Sequence, residues 1–229
     1  MAKTKCILFI LALFVVLTGF GQNNSKYNRY FAKDKLSFSF NSAQLLGANK
    51  IGGISELSNG LNLQFMQAIV GVKSNVALAA GFGWANQNYY LNNFVNTNSD
   101  SIWFTQIADS LNHKKYKLNT NYLIIPIELR FRSNPDAESK SYKLYVGFRA
   151  GLMINSHTKY VGNDRFTDKR IKEKQYNIKH LEPIDYGVTL RFGKGDFMLN
   201  GYYSLSNLFL KEKGYELTPV EIGLTIVLF

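Results

Sequence analysis

The chain has 229 residues, of which 46% are hydrophobic and only 19% are charged, so it is not an intrinsically disordered protein. One cysteine excludes both a disulfide framework and a cysteine-based zinc site. The formal net charge of +11 suits acidic partners, but no nucleic-acid-binding motif accompanies it, so nucleic acid is not an expected partner.

The N-terminal residues have the order of a secretory signal peptide. Two lysines precede an unbroken apolar run at 7–17, and Gly19 and Gly21 place small residues just before a candidate cleavage point. The run is shorter than the roughly 20 residues that a membrane-spanning helix needs. We therefore predict three regions: a cleaved signal peptide at 1–21, an N-terminal periplasmic lead-in at 22–34 and a β-barrel at 35–229.

After the lead-in, apolar residues repeatedly alternate with polar or small ones. In the segment 220–228 the even positions are all apolar, whereas Glu221, Gly223 and Thr225 occupy odd positions. Successive side chains of a β-strand point to opposite faces, so each such segment predicts a strand with one apolar face. We predict strands at 35–46, 60–71, 74–87, 116–132, 141–155, 183–193, 196–207 and 218–229.

The spacers between these strands are alternately long and short. The long spacers are 47–59, 88–115, 156–182 and 208–217, and the short ones are 72–73, 133–140 and 194–195. This spacing is typical of an antiparallel up-and-down transmembrane β-barrel, with turns at one end and loops at the other. The less apolar faces carry glycine, alanine and charged residues, so we expect the apolar faces to contact lipid. A secreted lipocalin-like barrel with an apolar interior is the alternative.

Aromatic residues lie near the predicted strand ends, where membrane-interface girdles place them. On the loop side we assign Trp84, Tyr89, Tyr90, Trp103, Tyr116, Tyr122, Tyr160, Tyr186, Tyr203 and Tyr215, and on the turn side Tyr142, Phe192 and Phe197.

Pro126 lies inside the predicted strand 116–132, although proline removes a hydrogen-bond donor from a β-ladder. The apolar residues also change parity nearby, from Leu118 and Tyr122 to Leu123 and the odd positions after it. A β-bulge around 122–126 would explain both observations.

Several of these segments resemble the PorT-like outer-membrane β-barrel family. Tyr122–Leu129 (YLIIPIEL) is similar to the family's Tyr-Leu-x-Ile-Pro strand, and Tyr145–Leu152 (YVGFRAGL) to its following glycine-rich strand. Residues 186–187, 201–209 and 216–219 resemble its last three strands. The resemblance implies an eight-stranded barrel. Most relatives have no assigned activity, and the best-known member is needed for type IX protein secretion, so accessory work in that secretion is one candidate function.

Charged residues on the predicted inward faces form the first candidate site. Eight strands enclose room for side chains but not for an aqueous channel, so charges inside must pair with one another or with trapped water. We expect Glu128 to pair with Arg149 or Arg191. The predicted structural charge network comprises Glu128, Arg130, Arg149, Asp185, Arg191 and Glu221, with Lys143 on the same face. A small anion site or a gated pore is the functional alternative.

The predicted loop 156–182 carries more basic than acidic residues, and its positive charge would attract lipopolysaccharide phosphates or an acidic partner. The candidate contacts are Lys159, Arg165, Lys169, Arg170, Lys172 and Lys174. A solvated loop of mixed charge is the alternative interpretation.

No motif predicts an enzyme. His157 follows Ser156, but no nucleophile motif surrounds the pair, and His113 and His180 also lie in predicted loops. No histidine or carboxylate spacing predicts a metal site, and no cofactor is expected. We therefore expect a non-enzymatic integral protein of the bacterial outer membrane, with periplasmic termini, whose external loops contact lipid, lipopolysaccharide and other envelope or secretion proteins. A narrow channel, a small-ligand binder and a lipid-modifying enzyme are the alternatives.

Overall fold

A computed structural model describes residues 34–71, 75–108, 111–136, 140–164, 167 and 169–228. The strands are β1 (Leu36–Leu46), β2 (Asn59–Val70), β3 (Val76–Tyr90), β4 (Asn93–Thr97), β5 (Ile102–Gln106), β6 (Lys115–Arg132), β7 (Tyr142–Asn163), β8 (Arg170–Tyr176), β9 (Ile184–Lys194), β10 (Phe197–Ser204) and β11 (Thr218–Val227), with a 3-10 helix at Ala48–Ile51. The described part of the chain contains no helix long and apolar enough to cross a membrane. The predicted signal peptide, all but the last residue of the lead-in, and Arg165 lie outside the described residues.

Eight of the strands close into a ring. Their order is β6-β3-β2-β1-β11-β10-β9-β7, and β7 pairs back with β6. The first and last strands are joined by a continuous antiparallel ladder from Ser37–Val227 to Leu46–Thr218. Closure leaves no open edge in the ring itself, which is the condition for a β-structure in lipid. The predicted eight-stranded antiparallel up-and-down barrel is confirmed.

The outer surface of the ring is apolar and its interior is polar. On β6, Leu123, Ile125 and Ile127 are between 48% and 59% exposed, whereas Glu128 and Arg130 are at most 2% exposed. The same alternation runs through the other ring strands, so a continuous band of leucine, isoleucine, valine and phenylalanine faces outward. This is the surface that a lipid-facing barrel requires. The lipocalin-like alternative, with an apolar interior, is wrong.

Turns join the strands at one end of the barrel, here called the short-turn end, and long connections join them at the other, the long-loop end. Two predicted loops at the long-loop end prove to be partly strand: β4 and β5 form a hairpin within 88–115, and β7 continues to Asn163 and pairs with β8. No apolar alternation marks these strands in the sequence. Beyond the lipid band, the outward positions of β7 no longer have to be apolar.

The predicted bulge lies on β7, opposite the strand to which it was assigned. Asn121 of β6 pairs with Asn155, whereas the next residue, Tyr122, pairs with Met153. Ile154 is therefore the extra residue. The bulge reverses which parity of β7 faces the lumen, so the polar Ser156 and Thr158 point inward above it.

The parity of β6 itself does not change. Leu118, Tyr122 and Ile124 all point into the barrel and are at most 3% exposed. The apparent change in the sequence marks the level at which the lumen turns from polar to apolar. Opposite Pro126, the β3–β6 ladder passes from the Ala80–Ile127 pair directly to Gly83–Ile124, so the missing proline donor falls at a local gap in pairing.

An apolar core fills the barrel at the long-loop end. It joins the 3-10 helix, the β4–β5 hairpin and the β10–β11 connection, and its buried members are Ala43, Leu45, Ile51, Tyr89, Leu91, Val95, Ile102, Ile107, Tyr116, Leu118, Tyr160, Ile178, Leu181, Leu208, Phe209 and Leu217. We call these elements the cap.

Several residues predicted for the membrane-interface girdles lie inside the barrel instead. Tyr89, Tyr116, Tyr122 and Tyr160 are buried, whereas Trp84, Tyr186 and Tyr203 are exposed on the outer surface.

Candidate functional site

The most deeply buried carboxylate of the lumen is Glu221, which is fully buried. Its Oε1 accepts hydrogen bonds from Gln87 Nε2 at 2.7 Å and from Arg149 Nη2 at 2.9 Å. Its Oε2 accepts from Asn41 Nδ2 at 2.5 Å and from Asn62 Nδ2 at 2.8 Å. Four donors on four different strands therefore converge on one side chain. A buried charge is tolerated only when it is satisfied in this way.

Arg149 connects Glu221 to a second carboxylate. Its Nη2 lies 3.2 Å from Asp185 Oδ2, and its guanidinium stacks 3.4 Å from the centre of the Tyr202 ring. Asp185 also accepts a 2.7 Å hydrogen bond from Ser204 Oγ. The predicted residues Arg149, Asp185 and Glu221 thus form one group, the Glu221 cluster.

Nearer the short-turn end, Glu128 is the centre of a second group, the Glu128 cluster. Arg191 Nη2 lies 2.5 Å from Glu128 Oε1, and Arg130 Nε lies 3.1 Å from Glu128 Oε2. Gly147 pairs with Glu128 across the β6–β7 ladder, where a Cβ atom would lie 2.9 Å from the Glu128 Cγ. A glycine in this strand makes room for the buried side chains. Of the two partners considered for Glu128, the structure pairs it with Arg191.

A third group at the mouth of the short-turn end, the Asp34 cluster, was not predicted. Asp34 lies 2.6 Å from Lys143 Nζ and 3.0 Å from Arg132 Nη2, and it accepts a hydrogen bond from the Tyr145 hydroxyl. Burial raises the pKa of the Asp34 carboxyl, but the Lys143 and Arg132 cations outweigh burial and hold that pKa below its usual value.

The Tyr145 ring links the Asp34 and Glu128 clusters. The guanidinium carbons of Arg130, Arg191 and Arg132 lie 4.8, 5.3 and 5.6 Å from its centre. Cation–π contacts of this kind stabilise arginines that are withdrawn from water. Arg132 shares the parity of Glu128 and Arg130 in the sequence, so alternation alone identifies it. No periodic signal marks Asp34, because it precedes the first strand.

Between the Glu221 and Glu128 clusters lies a cavity of about 20 Å³. Four polar atoms of its lining residues have no hydrogen-bond partner among the described residues: Asn62 Oδ1, Arg149 Nε, Arg191 Nε and Tyr202 Oη. The cavity has room for a single water molecule. The lumen is therefore filled by charged pairs below and by the apolar core of the cap above.

On the outside of the barrel, several of the predicted basic contacts lie on the β7–β8 hairpin. Lys159 of β7 pairs with Lys174 of β8, and on its other side with Lys117 of β6. Lys172 and Arg170 lie two and four residues before Lys174 on the same face, Arg170 at the first position of β8, whereas Lys169 precedes the strand. The predicted set is therefore divided between a sheet face and the hairpin end.

The histidines lie apart from any assembled catalytic set in the described part of the chain. Ser156 points inward and its hydroxyl accepts a 3.2 Å hydrogen bond from the Ile178 amide, whereas His157 points outward beside Tyr176. The Nε2 of His180 lies 3.0 Å from the Asn98 carbonyl oxygen. No group of three or more metal-binding side chains occurs among the described residues.

One family of known proteins matches most of the chain. The family model described as "Outer membrane protein beta-barrel domain" matches residues 20–210. No curated protein matches the chain. A solved structure of Ail, the attachment invasion locus protein of Yersinia pestis, is 11% identical, with a TM-score of 0.35, and the match covers 83% of this chain and 93% of that one. The structure of Ail in complex with the heparin analogue sucrose octasulfate is 14% identical, with a TM-score of 0.33 over the same shares.

Proposed function

Because this chain belongs to the outer membrane protein beta-barrel domain family, we propose that it is a non-enzymatic component of the bacterial envelope that acts through the surface of its long-loop end. The chain is an outer-membrane β-barrel protein. The observation that carries the proposal is the filled lumen, with salt bridges around Glu221 and Glu128 and the apolar core above them. Interaction surfaces are therefore sought outside the barrel.

The ordered structure of the cap supports this proposal. Phe94 of the β4–β5 hairpin packs against Tyr116 and Tyr160, with ring centres 5.1 and 5.3 Å apart, and Phe104 packs against Phe209 at 5.9 Å. These contacts fix the hairpin on the barrel. A rigid projecting hairpin presents the same surface to every partner, which lowers the entropy cost of binding.

We further propose that the long-loop end faces the outside of the cell and that both termini are periplasmic, as in barrels with short periplasmic turns. A membrane-impermeant, thiol-reactive label applied to intact cells tests this orientation. A cysteine at Asp100, in the β4–β5 turn, should be labelled, whereas a cysteine at Asn134, in the turn after β6, should not. Labelling of Asn134→Cys alone would reverse the orientation.

The function itself is tested with a variant in which the exposed β4–β5 turn, residues 98–101, is replaced by glycines. We expect this variant to fold and insert normally but to leave the envelope or surface phenotype of a deletion strain uncorrected. A matched variant with glycines at 134–136, in a turn of the opposite end, should complement the deletion. If both variants complement equally, the long-loop surface is not the functional one.

The partners proposed for this surface are outer-membrane lipid, lipopolysaccharide and other envelope proteins. The likeness of Tyr122–Leu129 to the PorT-like strand supports a narrower candidate, accessory work in type IX secretion. Deleting the gene and measuring the release of a type IX cargo protein tests it: an unchanged amount in the medium would contradict that role.

The proposed absence of enzymatic activity is tested by replacing His113, His157 and His180 with alanine. We expect these substitutions to leave the phenotype unchanged.

A further inference from the structure

Three lysines form one row across the outward face of the sheet at the long-loop end. The β6–β7 register pairs Lys117 with Lys159, and the β7–β8 register pairs Lys159 with Lys174. In the next row away from the lipid band, Lys115 and Lys172 lie on either side of Val161. We call Lys115, Lys117, Lys159, Lys172 and Lys174 the lysine face.

Among the described residues, the positive charge of the lysine face has no compensating negative charge, and Lys117 Nζ donates a hydrogen bond to the neutral Asn88 Oδ1. None of its five lysines forms a salt bridge with a carboxylate among the described residues. Glu173 lies between Lys172 and Lys174 in the sequence, but side chains alternate along β8, so it points to the opposite face. Like charges placed directly opposite each other on neighbouring strands destabilise a sheet. Such an arrangement is stable when an anion is shared between them.

Two groups outside the lipid band lie close to these charges. Partial burial lowers the pKa of Lys117, and the charges of Lys115, Lys159 and Lys174 lower it further. His157 lies one row nearer to the lipid, and its Nδ1 is buried without a hydrogen-bond partner among the described residues.

The height of the lysine face fits the headgroup region of a membrane lipid. Leu123 is the last lipid-facing residue of β6, and Asn121 and Asn119 separate it from Lys117 on the same face. Six residues at about 3.3 Å each, on a strand tilted by about 40°, place the Lys117 backbone roughly 15 Å beyond Leu123. A lysine side chain can reach back toward the membrane from there, so its ammonium group stands above the acyl chains.

An amphipathic groove beside the lysine face points to the same class of ligand. The groove has a volume of about 640 Å³, and its lining combines Phe40 and Leu57 with Lys114, Lys115 and Glu56. Apolar side chains in the same groove as two ammonium groups match a lipid with acyl chains and an anionic head.

We propose that the lysine face binds a phosphoryl group of lipopolysaccharide, with Lys117, Lys159 and Lys174 as the contacting residues. This inference rests on the proposed orientation, since only the outer leaflet carries that lipid. Lysine binds phosphate as a compact charge with three donors, so several lysines can share one group without a fixed geometry. The predicted contacts Lys169 and Arg170 lie outside the row and are not part of the site.

The test compares two variants that each lose three positive charges. Lys117→Gln/Lys159→Gln/Lys174→Gln removes the row, and Lys169→Gln/Lys179→Gln/Lys211→Gln removes charges of the long-loop end that lie away from it. The full-length protein is reconstituted in phosphatidylcholine vesicles and titrated with purified lipopolysaccharide. Folding of every variant is checked by its heat-dependent migration on a gel.

We expect the row variant to bind lipopolysaccharide more weakly by roughly tenfold to a hundredfold, because each lysine near an anionic surface contributes about a factor of five. The control variant should stay within about twofold of the original protein. Dephosphorylated lipopolysaccharide should bind the original protein as weakly as the intact lipid binds the row variant. Millimolar inorganic phosphate should not compete, because it lacks the acyl anchor.

Equal weakening by the two variants, or equal binding of the dephosphorylated lipid, would overturn the inference. Effective competition by inorganic phosphate would show a site for a free anion and would overturn the assignment to lipid. Orientation is not needed for binding to purified protein. Failure here with successful cell-surface labelling at Asp100→Cys would therefore reject the lipid site and leave the proposed function standing.

Discussion

Arg149 and Glu221 lie on strands that are separated by two others in the ring, yet the Nη2 of Arg149 is 2.9 Å from the Oε1 of Glu221. Their contact therefore crosses the lumen, and both side chains are almost completely withdrawn from water. The barrel is held together across its interior by this pair as well as around its circumference by the ladders.

Replacing Glu221 by alanine should destabilise the barrel strongly. The substitution leaves Arg149 buried with one carboxylate instead of two and removes the acceptor of three amide side chains. Removing one partner of a buried ion pair lowers the free energy of unfolding by about 3–5 kcal/mol. Urea unfolding in lipid vesicles, followed by tryptophan fluorescence, measures the change.

The exposed pair between Lys194 and Asp136, at 2.7 Å, is the control. Its lysine side chain is 42% exposed, so Lys194→Ala should cost no more than about 1 kcal/mol. Equal losses for Lys194→Ala and Glu221→Ala would mean that the interior pair does not determine stability.

Removing the Tyr116 hydroxyl should loosen the cap without opening the barrel. That hydroxyl accepts a 3.0 Å hydrogen bond from the Val95 amide of the β4–β5 hairpin. Tyr116→Phe leaves a buried amide without this acceptor, at a cost of about 1–3 kcal/mol. Hydrogen exchange should become faster in 93–106 and stay unchanged in β9 and β10. Tyr203→Phe, on the outer surface, is the matched control, and a general rise in exchange across the ring would contradict the separation of cap and barrel.

The protein should not conduct ions. The Glu221 and Glu128 clusters and the core of the cap leave between them a cavity of about 20 Å³, which is the size of one water molecule. Planar-bilayer recordings of the purified protein should show no unitary steps. Reproducible steps that persist when the protein is purified from a porin-free strain would contradict the filled lumen and would favour the channel alternative.

The titration of His157 should report on the lysine face. Partial burial lowers the pKa of His157, and the charges of Lys174 on β8, Lys117 on β6 and Lys159 on its own strand lower it further. Because the unfolded chain takes up this proton first, stability should fall as the pH drops below about 6.5, the ordinary histidine value, and level off below the folded pKa.

Nuclear magnetic resonance of the histidine rings, assigned with His157→Gln, measures that pKa directly. Added lipopolysaccharide should raise it, because a phosphoryl group would offset the three ammonium charges. A pKa that is unchanged at saturating lipid would place the lipid elsewhere on the surface.

Alternation in the sequence predicted the ring because lipid requires an apolar residue at every second position of a spanning strand. The same requirement explains why Arg149, Asp185 and Glu221 were recognised as inward-facing. The requirement ends where the bilayer ends. Beyond the bilayer the outward side of β7 contacts water, so no alternation in the sequence predicted the continuation of β7 or the strand β8.

Two further features were beyond the reach of a single-sequence pattern. Asp34 lies before the first strand, and its pairing with Lys143 and Arg132 depends on how the chain enters the barrel. The buried tyrosines of the ring strands that pack against the cap, such as Tyr116 and Tyr160, resemble girdle residues in sequence because both groups lie near strand ends. Only the packing of the β4–β5 hairpin over the barrel distinguishes them.

The central claim is that the apolar faces of the strands contact acyl chains while the ion pairs lie inside. Trp84 and Trp103 are the two tryptophans of the chain, and both are exposed, Trp84 on the outer face of β3 and Trp103 on the hairpin of the cap. Trp103→Phe and Trp84→Phe each leave one reporter, and vesicles of lipids brominated on their acyl chains supply the quencher. We predict strong quenching of Trp84 and little quenching of Trp103, whereas a Trp84 signal that brominated lipid does not affect would contradict the lipid-facing orientation.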